Sequence, residues 1–252
     1  MRQIFGNRSG NPALRESTFR GLPVAAEGEG MTIEGTVNKT YVLFLLLMAG
    51  VAGAAVADES ALYGLMLLGA IGGLVVAVAT VFRKQWAPIT APIYAVLEGL
   101  FVGAISIVME AAYPGIVIPA VSLTFGTLFA LLAAYRSGLI KVTENFKLGV
   151  AAATGAIFVV YLAQFVLGLV GVQIGFLHDA IFGAGWLGIG VSVVVIVVAA
   201  LNLVLDFDFI EQGSAARAPK YMEWYGAFGL LVTLIWLYLE ILRLLSKLRS
   251  RD

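Results

Sequence analysis

Four acidic residues of the sequence lie within or at the ends of long apolar runs: Glu98, Asp206, Asp208 and Glu240. A carboxylate in the membrane interior costs about 2.5–3.5 kcal/mol on insertion scales, so such residues usually face a protein interior or a water-filled cavity. In that setting they often mark paths for ions or protons. These four residues are therefore the candidates for chemistry in this chain.

Glu98 has the most costly position of the four acids. It follows Pro88 by ten residues, which at about 1.5 Å per residue places it near the bilayer midplane. Two interpretations are open. Glu98 is either a protonated carboxyl that hydrogen-bonds within a helix bundle as a structural acid, or a residue of an ion path.

Asp206 and Asp208 end the sixth apolar run. Acids at the carboxyl end of a helix face the negative pole of the helix dipole, an arrangement disfavoured by about 0.3–1 kcal/mol. Some compensating contact is therefore expected. We interpret Asp206 as a functional residue. For Asp208 we favour a solvated residue at the helix end, and the alternatives are an ion-path residue or a structural acid, as for Glu98.

Glu240 lies in the last apolar run, and Arg243 follows it three residues later. Residues three apart share one face of a helix, so the simplest interpretation is an intrahelical ion pair with Arg243 as the counter-ion. The single histidine, His178, cannot build a histidine metal site, and the chain has no cysteine. The lack of cysteine excludes disulfides, thiolate zinc sites and cysteine nucleophiles.

The composition is that of a membrane protein. The 252 residues are 60% hydrophobic and 13% charged, with a mean hydropathy of +0.95. Ordinary soluble domains are roughly 45–50% apolar, so a water-soluble single domain is excluded. The formal net charge is zero, which argues against nucleic acid as a partner. Glycines four residues apart, Gly69 with Gly73 and Gly99 with Gly103, would let membrane helices approach closely.

Seven apolar runs follow a polar tail, and each is long enough to cross a hydrocarbon core of about 30 Å. They cover about 40–57, 61–82, 88–109, 115–135, 149–170, 181–206 and 225–246. The tail, residues 1–37, lacks the apolar core of a cleavable signal, so we expect it to stay on the mature protein. The sequence predicts an all-α polytopic membrane protein, with residues 38–252 forming a transmembrane domain of seven helices.

The distribution of Lys and Arg predicts the orientation. Five of these cations lie in the tail up to Lys39, and the following connections alternate between none and two or three. Because positively charged short loops stay in the cytoplasm, the amino terminus is predicted to be cytoplasmic. Arg243, Lys247, Arg249 and Arg251 break the alternation. Either the last helix crosses against the rule, or it enters the membrane without crossing it fully.

Five short motifs occur in order along the chain: GNPAL at 10–14 with Phe19, VNKT at 37–40, YAVLEGLFVGAIS at 94–106, LNLVLDFD at 201–208, and MEWY at 222–225 leading to LYLEIL at 237–242. Together they resemble the Bax inhibitor-1 family of membrane proteins, specifically its bacterial branch. The resemblance covers nearly the whole chain.

The resemblance implies a seven-helix bundle in which the last helix is central and the other six surround it. It also implies calcium leak across the membrane, a link to stress or cell-death control, and a pore closed by a pH-sensitive pair of aspartates on the last two helices. Asp206 and Glu240 match that pair by motif position, so they are the predicted gate and calcium ligands. The second acid is glutamate here, and Asp208 is an additional neighbour. The implied location is the bacterial plasma (inner) membrane.

Helix geometry sets a condition on this pairing. Glu240 lies fifteen residues beyond Tyr225, about 22 Å along a helix, whereas Asp206 ends the sixth run. The pairing needs a sixth helix that continues past its apparent end, or a last segment that is placed differently.

The first functional hypothesis is a pH-sensitive cation leak channel, with calcium as the transported ion and Glu98 as a candidate path residue. The alternative is a non-catalytic regulator or scaffold, which contacts a membrane protease or acts in a stress response through the tail. An intramembrane aspartyl protease is disfavoured because the Gly-x-Gly-Asp signature is missing before Asp206. No other catalytic or cofactor motif occurs, so we expect neither an enzyme nor a resident cofactor. The sequence leaves the oligomeric state open.

Overall fold

The protein is described from a computed structural model that covers residues 30–172 and 174–250. Within these ranges the chain forms eight α-helices and no β-strand. The helices are α1 (Ile33–Ala55), α2 (Glu59–Phe82), α3 (Ala87–Ala112), α4 (Val117–Arg136), α5 (Glu144–Leu169), α6 (Gly175–Phe182), α7 (Trp186–Ala215) and α8 (Met222–Arg249). All except the short α6 are long and apolar enough to cross a membrane. The predicted all-α membrane fold with seven long apolar helices is confirmed.

The sixth long helix differs most from its predicted bounds. The start of the predicted run belongs to α6, and α7 begins only at Trp186. At the other end α7 continues to Ala215, because Phe207, Phe209 and Ile210 are buried and carry the apolar pattern past Asp206. The expectation that Asp206 and Asp208 end this helix is therefore wrong. The condition that the sixth helix continues past its apparent end is met.

The first helix begins earlier than predicted. Thr32 has an extended backbone, with φ −127° and ψ 152°, and its side chain accepts a hydrogen bond from the Gly35 N–H at 2.9 Å. This is an N-cap, which satisfies a backbone donor that the first turn cannot pair itself. Residues 33–37, which the sequence assigned to the tail, are therefore helical. The rest of the predicted tail up to residue 29 lies outside the described part of the chain.

The chain divides into two compact units. Of the described residues, the first unit contains 30–114 and 206–232, which include α1 to α3. The second unit contains 115–205, without residue 173, and 233–250. Helices α7 and α8 each contribute residues to both units, so each unit is described by itself.

In the first unit, α1 and α2 both pack closely against α3 through glycines. A Cβ added to Gly50 of α1 would lie 2.9 Å from the Cα of Gly99 of α3, which leaves no room for a side chain. On α2, a Cβ at Gly69 would lie 2.7 Å from that of Phe101, and Gly73 faces Glu98. The predicted role of the small residues in close helix packing is confirmed at these contacts.

Helix α8 is the most buried of the seven long helices. In its most apolar stretch 61% of the residues are buried, compared with 6–44% in the corresponding stretches of the other six helices. At its start Tyr225 is fully buried and its ring packs against Phe228 and Phe209, with centroids 6.2 and 6.3 Å away. Most of the apolar stretch of this last helix is therefore covered by other parts of the protein.

We expect Gly99→Ala to lower the thermal unfolding midpoint of the purified protein in detergent, because the added methyl group meets the carbonyl of Leu47 and the backbone of Gly50. Gly126→Ala in α4 is the matched control, since nothing lies within 4 Å of its added Cβ. Equal midpoints for the two variants would contradict the close approach of α1 and α3.

Candidate functional site

The Glu240 side chain is held in an ion pair inside the second unit. Glu240 is 1% exposed, and each of its carboxylate oxygens accepts a hydrogen bond from Nη1 of Arg243 at 2.9 Å. The two residues are three positions apart on α8 and so share one face, as the sequence predicted. The guanidinium compensates the negative charge where water cannot.

Two aromatic side chains complete the surroundings of this carboxylate. The Tyr161 hydroxyl of α5 donates to Glu240 Oε1 at 3.2 Å and accepts from Arg243 Nη1 at 2.8 Å. The Trp236 indole N–H, one turn earlier on α8, donates to the same oxygen at 3.3 Å. Trp236 was recognisable from its spacing of four residues, whereas Tyr161 is 79 residues away and no local pattern marks it.

The hydrogen bonds around Glu240 limit how its carboxylate can bind a cation. Carboxylate oxygens are hard ligands of the type that calcium binds. Here both oxygens are taken by a guanidinium that belongs to the same helix. A cation that binds both oxygens of Glu240 would therefore compete with Arg243, whose side chain is 31% exposed.

A second cation of α8 is also bound inside the second unit. The Lys247 ammonium, in a residue only 4% exposed, donates to the Gly188 carbonyl and to the Ser192 hydroxyl of α7, both at 2.9 Å. Lys247 and Arg243 therefore serve as internal partners, not as flanking charges. They therefore do not count as loop cations in the prediction of orientation. Arg249 and, outside the described residues, Arg251 are the cations that still break the alternation of Lys and Arg.

Asp206 and Asp208 differ in their surroundings. Asp206 is fully buried in the interior of α7, within the first unit. Asp208 is half-buried and accepts a hydrogen bond from Gln212 Nε2 at 2.6 Å, one turn later on the same helix. Two positions along a helix turn the side chain by about 200°, so the two acids occupy different faces. Because Asp206 and Glu240 belong to different units, their pairing stays a prediction.

Glu98 is buried near the middle of α3, at 9% exposure. A Cβ at Gly73 of α2 would lie 3.1 Å from its carboxyl carbon, so the missing side chain at that glycine makes room for the acid. The glycine spacing was visible in the sequence, but its connection to Glu98 was not. Both interpretations of Glu98, as structural acid and as path residue, stay open.

Glu223 is a buried acid that the sequence analysis did not identify. It is 1% exposed in the first turn of α8, and its Oε1 accepts from the backbone N–H of Thr32 at 3.0 Å and from the Thr32 hydroxyl at 2.9 Å. Lys220 pairs with the same oxygen at 2.7 Å. The backbone N–H of Met31 donates to the Ala218 carbonyl nearby at 2.7 Å. These bonds join the start of α1 to the turn before α8.

Taken together, the buried charges and the seven long apolar helices define an integral, all-α polytopic membrane protein. A family model described as Bax inhibitor 1 like matches residues 11–250, nearly the whole chain. The protein therefore belongs to the Bax inhibitor-1-like family, whose members are generally not enzymes. A comparison with curated proteins gave no significant match. No group of three or more His, Cys, Asp or Glu side chains that could hold a metal occurs within the described ranges.

We expect Arg243→Met to destabilise the protein by about 3–5 kcal/mol, because it leaves the buried Glu240 charge without its partner. The double variant Glu240→Gln with Arg243→Met should recover a large part of that loss, since it removes both charges. Chemical unfolding in detergent gives the four free energies of the double-mutant cycle. Additive effects of the two substitutions would show that the ion pair is not coupled.

Proposed function

We propose that this protein is a pH-sensitive leak channel for cations, with calcium as the transported ion and with Asp206 and Glu240 as its gate. The observation that carries the proposal is the Glu240 site: a buried carboxylate in a membrane helix whose two oxygens are both held by Arg243. Buried acids in membrane helices commonly serve ion paths. Membership of the Bax inhibitor-1-like family adds its support.

In the proposed mechanism, Arg243 is the counter-ion that keeps the gate closed. Displacement of the guanidinium would free two carboxylate oxygens for calcium. Two carboxylates that meet share a proton, because like charges cannot both ionise at short range without compensation. Protonation of the pair of Asp206 and Glu240 would thus remove negative charge from the cation path, which makes conduction depend on pH.

The remaining acids have different places in this proposal. Glu98 is the candidate path residue in α3, and the half-buried Asp208, which is bonded within its own helix, has no part in the gate. The proposed location is the bacterial plasma membrane with the amino terminus in the cytoplasm, and no catalytic activity is assigned.

A second proposal is a non-catalytic regulator that contacts a membrane protease through the amino-terminal tail. The bonds of Met31 to Ala218 and of Thr32 to Glu223 favour it, since they fix the start of α1 beside the turn before α8. A partner that contacts the chain at Met31 or Thr32 would act close to that turn. Intact protein that passes no calcium in vesicles would favour this function over the channel.

Calcium flux through the purified protein in vesicles, measured with a trapped fluorescent indicator at stepped pH, tests the channel. We expect Asp206→Asn with Glu240→Gln to remove the pH response, because neither side chain can then exchange a proton. Asp208→Asn is the matched control and should retain the wild-type response. Unchanged flux and pH dependence in the double variant would refute the assigned roles.

The pairing itself can be tested by cross-linking, because the natural chain has no cysteine. We expect Asp206→Cys with Glu240→Cys to form a disulfide under mild oxidation, provided the Cα atoms come within about 7 Å. Asp208→Cys with Glu240→Cys should not, since position 208 faces another side of α7. Electrophoretic mobility without reductant after proteolysis between the two sites gives the readout. Equal cross-linking of both pairs, or none of the first, contradicts the gate.

A further inference from the structure

Asn202 of α7 carries an amide oxygen without a hydrogen-bond partner among the described residues. Its side chain is 1% exposed, and its Nδ2 donates to the Val198 carbonyl and to the Thr154 hydroxyl of α5, both at 2.8 Å. A carbonyl can only accept, so the bond to Val198 fixes which end of the amide is nitrogen. The unsatisfied atom is therefore the acceptor, Oδ1.

Gln164 of α5 has the same feature. Its Oε1 is buried and has no hydrogen-bond partner within the described ranges. Leaving a buried acceptor unsatisfied costs about 1–3 kcal/mol, so a ligand that binds either oxygen would gain a hydrogen-bond acceptor that no described residue uses. The bonds of the Asn202 nitrogen explain the amide but leave its oxygen available.

Helix α5 relates both amides to the Glu240 site. Thr154, which binds Asn202, precedes Tyr161 by two helical turns, about 10 Å, and Tyr161 binds Glu240. Gln164 follows Tyr161 by three residues, about 4.5 Å, on the same face. Along α5, the residue that binds Asn202 and Gln164 itself thus lie on opposite sides of Tyr161, the residue that binds Glu240.

We propose that Asn202 Oδ1 and Gln164 Oε1 are neutral oxygen ligands for the permeating cation, one on each side of Glu240, along a path in the second unit. This proposal rests on the proposed channel function. Side-chain carbonyl oxygens are ligands that calcium accepts, and they replace its hydration without adding charge. Neutral ligands hold a cation less tightly than a second carboxylate would, which suits an ion that must also leave.

The primary test is Gln164→Leu, a substitution of similar size that removes the oxygen. We expect calcium flux in vesicles to fall roughly threefold to tenfold, the effect of losing one ligand of ordinary hydrogen-bond strength. The unfolding midpoint without calcium should stay equal or rise, since an unsatisfied acceptor has been removed. Thr124→Val is the control, because that buried hydroxyl of the same unit is satisfied by the Ala120 carbonyl at 2.8 Å, and its flux should be unchanged.

Asn202→Leu tests the second ligand, with Thr154→Val beside it. Thr154→Val removes one partner of the Asn202 nitrogen but leaves the oxygen, so it should lower flux less than Asn202→Leu does. If both variants match the wild type in flux, Asn202 is a structural amide only and its role as a ligand is refuted.

A binding measurement separates this proposal from the channel function on which it rests. The unfolding midpoint of the wild type in calcium chloride should exceed that in magnesium chloride at equal ionic strength, and Gln164→Leu should lose most of the difference. Wild-type protein that conducts in a Glu240-dependent way, with Gln164→Leu equal to it in flux and in calcium response, overturns the ligand assignment alone. Wild-type protein without flux overturns the channel, and the midpoints then decide whether the oxygens bind calcium.

Discussion

The second unit depends on the cost of keeping a carboxylate charged away from water. Glu240 is nearly inaccessible, and an isolated charge in such surroundings would destabilise the fold by several kcal/mol. Arg243, three residues later on the same helix, compensates the charge of Glu240. The Tyr161 hydroxyl of α5 forms hydrogen bonds with both side chains. Helix α8 is thereby tied to a neighbouring helix by polar bonds and not only by packing. In the proposed channel, a permeating cation would have to break these same bonds.

The first unit handles its buried acid differently. Glu98 lies in the middle of α3, and the space for it comes from Gly73 of α2. Close approach of α1 to α3 has the same origin, in Gly50 and Gly99. Between membrane helices, where lipid offers no hydrophobic driving force for association, such contacts supply the packing that holds helices together. The first unit thus makes space for its buried acid with a glycine, whereas the second unit compensates the charge of its buried acid with an arginine.

Much of the fold was predictable because hydrocarbon thickness fixes the length of each apolar run. The end of α7 was not, since Asp206 and Asp208 lower the hydropathy although the buried residues Phe207, Phe209 and Ile210 continue the helix. At the Glu240 site, the sequence identified the acid and its counter-ion, which are three residues apart.

The partners that come from distant segments could not be read from the sequence. Tyr161 lies on another helix, and the buried state of Glu223 depends on Thr32, which is 191 residues away. The unsatisfied oxygen of Asn202 follows only from the two bonds made by its nitrogen. Residue spacing predicts which side chains are neighbours on one helix, whereas each of these contacts joins two distant segments of the chain.

The contact between Thr32 and Glu223 also constrains the order in which this protein can mature. Of the described membrane helices, α1 leaves the ribosome first and α8 last. Thr32 caps α1, and Glu223 lies in the first turn of α8. During synthesis, α1 therefore enters the membrane before the bonds from Thr32 to Glu223 can form, and its start is held only by local bonds, from Gly35 and Thr36 to Thr32. The first unit can therefore be completed only after the start of α8 has been translated, which follows the synthesis of residues 115–205 of the second unit.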